Sequence, residues 1–182
     1  PAARGEVGAG GRPGRILRPT GGDWAAVAAL PTTATLRSVW GSGASDVWVV
    51  SDSGAVLRWN GASWTSQTLP DDAPLRAVWG TSATDVWAAG GEEVGCKCPG
   101  PGWIYHYDGV TWTESLPGLN AFTVTFAGWS RGPSDVWASG KGAVYHFDGT
   151  SWSDDEVGVY QELEGITGTS ATDVFPVGRQ ST

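Results

Sequence analysis

The stretch from Gly54 to Trp64 reads GAVLRWNGASW, and the chain repeats it. Related copies run from Gly102 to Trp112 and from Gly142 to Trp152, and a fainter copy runs from Gly14 to Trp24. Self-similarity of this length indicates one supersecondary unit that is copied along the chain. The role of any single residue therefore has to be considered from its place in the repeat.

A second motif alternates with the first. In its clearest copy, Leu36 to Gly41 ends in Trp-Gly and is followed by Ser45 to Trp48, which ends in Asp-Val-Trp. The other copies lie at Leu75–Gly80 with Thr84–Trp87, at Trp129 with Ser134–Trp137 and, in degraded form, at Leu163–Gly168 with Thr172–Phe175. Each of the two half-units thus occurs four times.

Each half-unit predicts a pair of β-strands. From Ala55 to Trp59 the side chains alternate between two faces, which is the period of a strand. The dipeptide Asn60-Gly61 that follows is typical of a two-residue type I′ turn, as are the Asp-Gly pairs at 108–109 and 148–149. In the other half-unit, β-rich runs flank a loop of Gly, Ser and Asp. Four antiparallel strands per roughly forty residues predict an all-β fold, a β-propeller of four-stranded blades.

Composition agrees with such a fold and excludes several classes of function. The 182 residues include 28 Gly, 11 Pro and 12 Trp, and only 16% are charged. The net charge is -8 and the 11 Lys and Arg residues are scattered, which excludes nucleic acid as a partner because phosphate binding needs clustered basic side chains. The sequence contains no apolar run of about 18 residues, so no membrane span is predicted. No signal-peptide core is visible after Pro1, and the absence of Met predicts a translation start elsewhere.

The order of the half-units predicts how the two ends are used. The chain opens with the second half of a unit and closes with the first half, so residues 163–182 plus 14–30 are expected to form one composite blade. Whole blades are expected at about 35–70, 74–117 and 121–158, after a flexible segment at 1–13. These four blade-equivalents leave three arrangements open: a closed four-bladed monomer, a larger ring completed by a homodimer, and a segment of a longer array.

Repetition assigns structural roles to two further sets of residues. Large flat side chains pack well between blades, so the repeated tryptophans are expected in the core or between blades. These are Trp40, Trp79 and Trp129 in one motif position and Trp48, Trp87 and Trp137 in another. The loop aspartates are expected to fix turns, because a residue present in every unit suits a scaffold better than a catalytic site. They are Asp46, Asp85, Asp135 and Asp173.

The two motifs together resemble a known kind of repeat. Trp-Gly, then Asp-Val-Trp, then Gly-x-hydrophobic-x-[His/Arg]-aromatic-[Asp/Asn]-Gly-x-x-Trp is similar to the Trp-rich propeller repeats of secreted or surface-attached bacterial proteins. It is more distantly similar to the repeats of bacterial fucose-binding propeller lectins. The resemblance covers about residues 14 to 178 and implies a propeller located outside the cytoplasm. It says little about activity, because one fold supports many functions.

The chain has only two histidines, and both occupy one repeat position. His106 and His146 stand where other units have Arg18 and Arg58, so the position needs a hydrogen-bond donor. One interpretation is a set of donors that line ligand pockets between blades, and the other is a polar strand residue paired with a neighbouring strand. On the first interpretation the ligand-binding residues would be Arg58, His106 and His146, with the adjacent aromatic residues Trp59, Tyr107 and Phe147.

The insertion between Gly90 and Gly102 carries the only cysteines, Cys96 and Cys98. Two cysteines together in a Pro/Gly-rich loop favour a local disulfide in an oxidising compartment, with free thiols as the alternative. A lone Cys-x-Cys supplies too few ligands for zinc, and no calcium spacing is present. No metal site and no cofactor are therefore predicted.

These observations favour a non-catalytic interaction module that binds a protein or a polymer. The distinctive insertion lies in a loop, where function tends to reside. A carbohydrate-binding lectin with repeated sites between blades is the first alternative. A glycosidase or lyase propeller is the second, and it is disfavoured because no pair of carboxylates stands apart from the repeat. No enzymatic activity is predicted, and the partner is expected to be a protein or glycan.

Overall fold

The computed structural model describes residues 14–28, 30–94, 98–115, 125–156 and 161–180. These residues form sixteen β-strands and contain no helix that could cross a membrane. All strand pairs are antiparallel between consecutive strands, apart from one isolated bridge. The predicted all-β class and its four-stranded antiparallel blades are confirmed.

Three complete blades follow each other along the chain, and in each the strands pair in sequence order. Blade 1 is β3 (Leu36–Gly43), β4 (Asp46–Ser51), β5 (Val56–Trp59) and β6 (Trp64–Gln67). Blade 2 is β7 (Leu75–Ser82), β8 (Asp85–Val94), β9 (Cys98–Tyr107) and β10 (Trp112–Glu114). Blade 3 is β11 (Thr125–Gly132), β12 (Asp135–Gly140), β13 (Ala143–Phe147) and β14 (Trp152–Glu156). We call the first strand of each blade its inner strand, and the third and fourth strands its outer hairpin.

The turn of each outer hairpin is longer than the two-residue type I′ turn that the sequence predicted. In blade 1 the last pair of the ladder is Trp59 with Trp64, so four residues connect the strands. The Asn60 side chain accepts hydrogen bonds from the backbone N–H groups of Ala62 and Ser63, both at 2.9 Å. Gly61 takes a φ of 95°, a conformation that side chains other than glycine rarely adopt. The dipeptide therefore marks the turn correctly, and the Asn side chain adds two hydrogen bonds to the backbone bond from Asn60 N–H to the Ser63 carbonyl oxygen at 3.2 Å.

The inner strands of successive blades lie side by side. The ring of Trp79 in β7 lies against Gly128 of β11, where an added Cβ would come within 2.2 Å of the ring. The indole N–H of Trp79 donates to Ser130 Oγ at 2.9 Å. Trp40 meets Gly80 and Trp129 meets Gly168 in the same way. Each inner strand is thus spaced from the next by a tryptophan that fits over a glycine.

Two hydrophobic cores fill the spaces between blades. The first joins blades 1 and 2 around Trp48 and Tyr105, and the second joins blades 2 and 3 around Trp87 and Tyr145. Trp48 and Trp87 are among the largest fully buried side chains, which confirms the predicted position between blades for these two tryptophans.

The chain ends form two further hairpins. One consists of β1 (Leu17–Pro19) and β2 (Trp24–Ala26), and the other of β15 (Gln161–Ser170) and β16 (Asp173–Gln180). The first contacts blade 1, where the Arg18 guanidinium lies 5.1 Å from the ring centre of Trp59. Arg58 lies over Tyr107 in the same way, at 5.6 Å, so β1 and β2 are placed like the outer hairpin of a preceding blade.

The C-terminal hairpin is placed like the inner half of a following blade. Ser139 Oγ donates to the carbonyl oxygen of Leu163 at 3.2 Å, and β15 lies beside β11. Among the described residues the two terminal hairpins are separate two-stranded sheets. The composite blade expected from residues 163–182 and 14–30 therefore stays a prediction. The segment at 1–13 that was expected to be flexible lies outside the described residues.

Candidate functional site

Arg58, His106 and His146 hold the same place in three blades, and each contacts the aspartate that begins the neighbouring strand. The three contacts are Arg58 Nε to Asp46 Oδ1 at 2.8 Å, His106 Nε2 to Asp85 Oδ1 at 2.9 Å and His146 Nε2 to Asp135 Oδ1 at 3.0 Å. The pairing of the second and third strands of each blade brings these side chains together. The donor position therefore serves a carboxylate of its own blade.

Further groups complete this cluster in each blade. In blade 2, Asp85 also accepts the indole N–H of Trp87 at 3.0 Å and the hydroxyl of Thr81. The His106 ring stacks on Trp87 with 4.1 Å between ring centres. In the other blades Trp48 Nε1 donates to Asp46 at 3.3 Å and Trp137 Nε1 donates to Asp135 at 2.9 Å. Asp85 thus holds its turn through Thr81, as predicted, and the three aspartates each tie the second strand of a blade to the third.

The environment of Asp85 shifts its acidity. Burial raises the pKa of the Asp85 carboxyl, but hydrogen bonds from His106, Thr81 and Trp87 together lower it by more. The net pKa therefore lies below the ordinary value for aspartate. A carboxyl whose pKa is lower in the folded state stabilises the fold above its unfolded pKa, and this contribution is lost as the pH falls through the folded pKa.

Replacing Asp85 with asparagine is expected to flatten the acid side of the stability profile. The wild-type free energy of unfolding should fall as the pH drops below about 4, where the unfolded carboxyl begins to bind protons. Asp85→Asn should be less stable at neutral pH and should lose less stability on acidification. Urea unfolding followed by circular dichroism at a series of pH values measures both effects. The exposed Asp154→Asn serves as the control, and parallel profiles for wild type and Asp85→Asn would contradict the expectation.

The aromatic residues predicted beside the donors form the contact between blades. Trp48 of blade 1 packs on Tyr107 and Trp112 of blade 2, with ring centres 4.9 and 5.5 Å apart. Trp87 of blade 2 packs on Phe147 and Trp152 of blade 3 at 5.6 and 5.8 Å. We call each such pair on an outer hairpin an aromatic pair. In blade 1 the aromatic pair is Trp59 with Trp64, 5.7 Å apart.

Four of the predicted ligand-binding residues lie in two interfaces between blades: Arg58 and Tyr107 in the first, and His106 and Phe147, which both contact Trp87, in the second. The other two lie elsewhere, Trp59 beneath Arg18 and His146 against Trp137. Arg58 Nη1 donates to the Tyr107 hydroxyl at 3.1 Å, so donors and aromatic residues contact each other. Their role in ligand binding remains a prediction. The predicted disulfide also remains a prediction, because Cys96 lies outside the described residues and only the backbone of Cys98, at the start of β9, is described.

A second location gathers polar side chains that the sequence did not single out. The inner strands converge on an open cavity of about 490 Å³, which we call the axial cavity. Its lining residues are Arg37, Arg76, Phe126, Glu162, Glu164 and Arg179. Arg37, Arg76, Phe126 and Glu164 hold one repeat position, directly after the first motif residue of the inner strand. That shared position is the signal from which the cavity could have been found.

Charge is divided across the axial cavity. On one side Arg37 pairs with Asp52 at 2.9 Å, and the Arg76 guanidinium lies 5.4 Å from the ring centre of Phe126. On the other side Arg179 pairs with Glu162 at 2.7 Å and with Glu164 at 3.4 Å. The Arg37 side chain remains 46% exposed. The cavity thus offers guanidinium groups and an aromatic face to a polar ligand.

Across the described ranges no group of three or more His, Cys, Asp and Glu side chains is arranged to hold a metal ion.

Comparison with known proteins identifies the fold. No protein-family model and no curated protein matches the sequence. Among solved structures, the chain is similar to YCF48 from Cyanidioschyzon merolae, with a TM-score of 0.59 and 17% identity over 85% of this chain and 51% of that one. YCF48 bound to D1 peptide matches with a TM-score of 0.54 and 21% identity, over 74% of this chain and 46% of that one. The chain therefore spans about half the length of YCF48.

A third solved structure has the same fold. The extracellular domain of BT4673 from B. thetaiotaomicron matches with a TM-score of 0.62 and 13% identity, over 87% of this chain and 23% of that one. Together these likenesses confirm that the chain is a β-propeller repeat protein with several blades.

Proposed function

We propose that this chain is a non-catalytic propeller module that binds an extended polypeptide segment in the axial cavity, through an acidic group of that segment. The observation that carries the proposal is the convergence of Arg37, Arg76 and Phe126 from three successive inner strands on one open cavity. A volume of about 490 Å³ falls within the range of small-ligand and peptide sites.

The chemistry of the cavity favours a carboxylate as the group that is recognised. Arginine presents a planar fork of N–H donors that matches a carboxylate, and such charge-assisted hydrogen bonds are about twice as strong as neutral ones. Phe126 beside Arg76 adds an apolar face for the rest of the peptide. The carboxylates Glu162 and Glu164 are already paired with Arg179, which suits a binding role better than acid–base chemistry.

The structural neighbours support this assignment. One of them, YCF48, is a propeller solved with a bound D1 peptide. Another is an extracellular domain, which supports placing the present module outside the cytoplasm, as the sequence predicted. Two other sequence expectations, a glycan as ligand and a homodimer that completes a larger ring, remain predictions.

Removing the two cavity arginines is expected to weaken peptide binding by about a hundredfold, because each lost charge-assisted hydrogen bond contributes about 1.5 kcal/mol. Peptides are first selected from a library of random linear sequences on the wild-type chain, and should be enriched in Asp and Glu. Their affinity for Arg37→Ala/Arg76→Ala is then measured by fluorescence anisotropy, after circular dichroism has shown that the variant is folded.

The control is Arg131→Ala, which removes an exposed arginine near the opposite end of β11. Its affinity should match that of the wild type, and binding to wild type should weaken with added salt. Selected peptides that lack acidic residues, or that bind the double variant as tightly as wild type, would refute the proposal.

A further inference from the structure

Trp137 differs from the two tryptophans that share its repeat position. Trp48 and Trp87 are 0% and 1% exposed, since the aromatic pair of the following blade covers each of them. Trp137 is only half-buried. It stacks on His146 at 4.0 Å between ring centres, and no aromatic pair covers it in the described part of the chain. The contact between a tryptophan and the aromatic pair of the following blade thus occurs twice in the described residues. At Trp137 only the tryptophan side of that contact is present.

The C-terminal hairpin that follows blade 3 has an open edge. In the complete blades the second strand pairs with both the first and the third strand. Within the described ranges β16 pairs with β15 alone, so its other edge presents unpaired backbone groups. Asp173 at the start of β16 is equally incomplete. It accepts the hydroxyl of Thr169, as Asp85 accepts Thr81, but no Arg or His of the described residues reaches it.

We propose that Trp137, Asp173 and the open edge of β16, which we call the Trp137 seat, bind a β-hairpin of the repeat type from another polypeptide segment. The seat presents what an outer hairpin contacts in blades 2 and 3: a tryptophan face, a carboxylate and a strand edge. The occupant must carry an Arg or His that reaches Asp173 and an aromatic pair that covers Trp137. A hairpin meets these needs if its first strand reads Gly-x-hydrophobic-x-[Arg/His]-aromatic and a four-residue turn then leads to a Trp.

The register of this contact follows from blade 1. There Trp48 is opposite Arg58 and Val47 is opposite Trp59. Phe175 has the place of Trp48, because its pairing with Thr167 matches that of Trp48 with Trp40. The Arg of the incoming hairpin should therefore lie opposite Phe175. Main-chain hydrogen bonds would supply affinity, and the aromatic and charged side chains would supply specificity.

Pro176 weakens this edge without closing it. Its counterpart in blade 1 is Val49, whose backbone N–H points toward β5, because Ser51 N–H donates to the Ala55 carbonyl and the direction alternates along a strand. Proline has no N–H, so one hydrogen bond of the ladder to an added strand is missing. Restoring the donor with Pro176→Val should tighten binding about fivefold, a gain that a damaged fold could not produce.

The test uses a synthetic, cyclised, fluorescent peptide of residues 54–67, the complete outer hairpin of blade 1. Cyclisation is needed because an isolated hairpin is marginally stable in water. We expect saturable binding by fluorescence anisotropy, about thirtyfold weaker for Trp137→Ala, as for loss of an aromatic anchor in an interface. Binding should also weaken when Arg58 of the peptide is replaced by Ala. Trp24→Ala, at an exposed tryptophan far from the seat, should bind like wild type.

If the free peptide is too dilute or poorly folded to bind, a tethered form of the experiment tests whether the hairpin binds the Trp137 seat. The same hairpin is fused after Thr182 through a flexible Gly/Ser linker, which raises its effective concentration to the order of millimolar. The fusion should melt at a higher temperature than a fusion of the scrambled sequence, and Trp137→Ala should abolish the difference.

Three results have fixed meanings. Equal melting of the two fusions, or peptide binding that Trp137→Ala leaves unchanged, would overturn the proposal. Concentration-dependent self-association of the wild-type chain that is lost in both Trp24→Ala and Trp137→Ala would overturn the requirement for an aromatic pair, because the β1–β2 hairpin of a second copy has Pro19 at the aromatic position.

Discussion

Trp87→Ala is expected to lower the free energy of unfolding by about 4 kcal/mol, in the middle of the range for a buried aromatic residue. Trp87 is 1% exposed, contacts Phe147 and Trp152 of blade 3, and donates to Asp85. The variant would lose these contacts and leave a cavity at the centre of the second core. Urea unfolding monitored by far-ultraviolet circular dichroism gives the difference, because tryptophan fluorescence would itself be changed by the substitution.

The repeat supplies the control for this experiment. Trp137→Ala removes the same side chain from the same motif position, including the stacking on a histidine and the hydrogen bond to an aspartate. Because no aromatic pair of a following blade covers Trp137, the loss should be about 1 kcal/mol. An equal loss in the free energy of unfolding for the two variants would contradict the expectation. It would show that the contact of Trp87 with blade 3 contributes little to stability.

Gly128→Ala is expected to destabilise the chain by about 3 kcal/mol, although it adds only one methyl group. The new Cβ would lie within 2.4 Å of three atoms of the Trp79 ring, and the ring is held in place by its hydrogen bond to Ser130. Relief requires the inner strands of blades 2 and 3 to move apart. Thermal and urea unfolding should both report the loss.

Gly132→Ala in the same strand tests whether contact with Trp79 is the cause. Gly132 has no atom within 4 Å of an added Cβ, so its substitution should change stability by no more than about 0.5 kcal/mol. If the two alanine variants were equally stable, the spacing of the inner strands would not depend on the fit of tryptophan over glycine.

The repeat made most of the fold predictable from the sequence. Alternation in residues 55–59 and the Asn60-Gly61 dipeptide placed a hairpin that the structure contains, and repetition placed Trp48 and Trp87 between blades. The composite blade of residues 163–182 and 14–30 stays a prediction, because complementary half-units indicate which strands could pair but not the angle between successive blades. That angle depends on how each inner-strand tryptophan fits the next strand, which periodicity does not report.

The site was harder to predict than the fold for a chemical reason. The donor at Arg58 and His106 serves equally well for a sugar hydroxyl or for a carboxylate of the blade, so residue type could not separate the two interpretations. Arg37 and Arg76 occupy ordinary polar positions in strands, and only the curvature of the row of blades brings them to one cavity. A charge that is repeated at the same place in successive inner strands is the signal to look for.

The direction of the tryptophan contacts has a consequence for synthesis on the ribosome. Trp48 of blade 1 is covered by Tyr107 and Trp112, which belong to the last strands of blade 2, and Trp87 is covered in the same way by blade 3. Because domains fold as the nascent polypeptide emerges with its N-terminus first, blades 1 and 2 must each wait for the translation of the next blade before Trp48 or Trp87 is buried. Chaperones that shield exposed aromatic surface would therefore find their target at the most recently emerged blade.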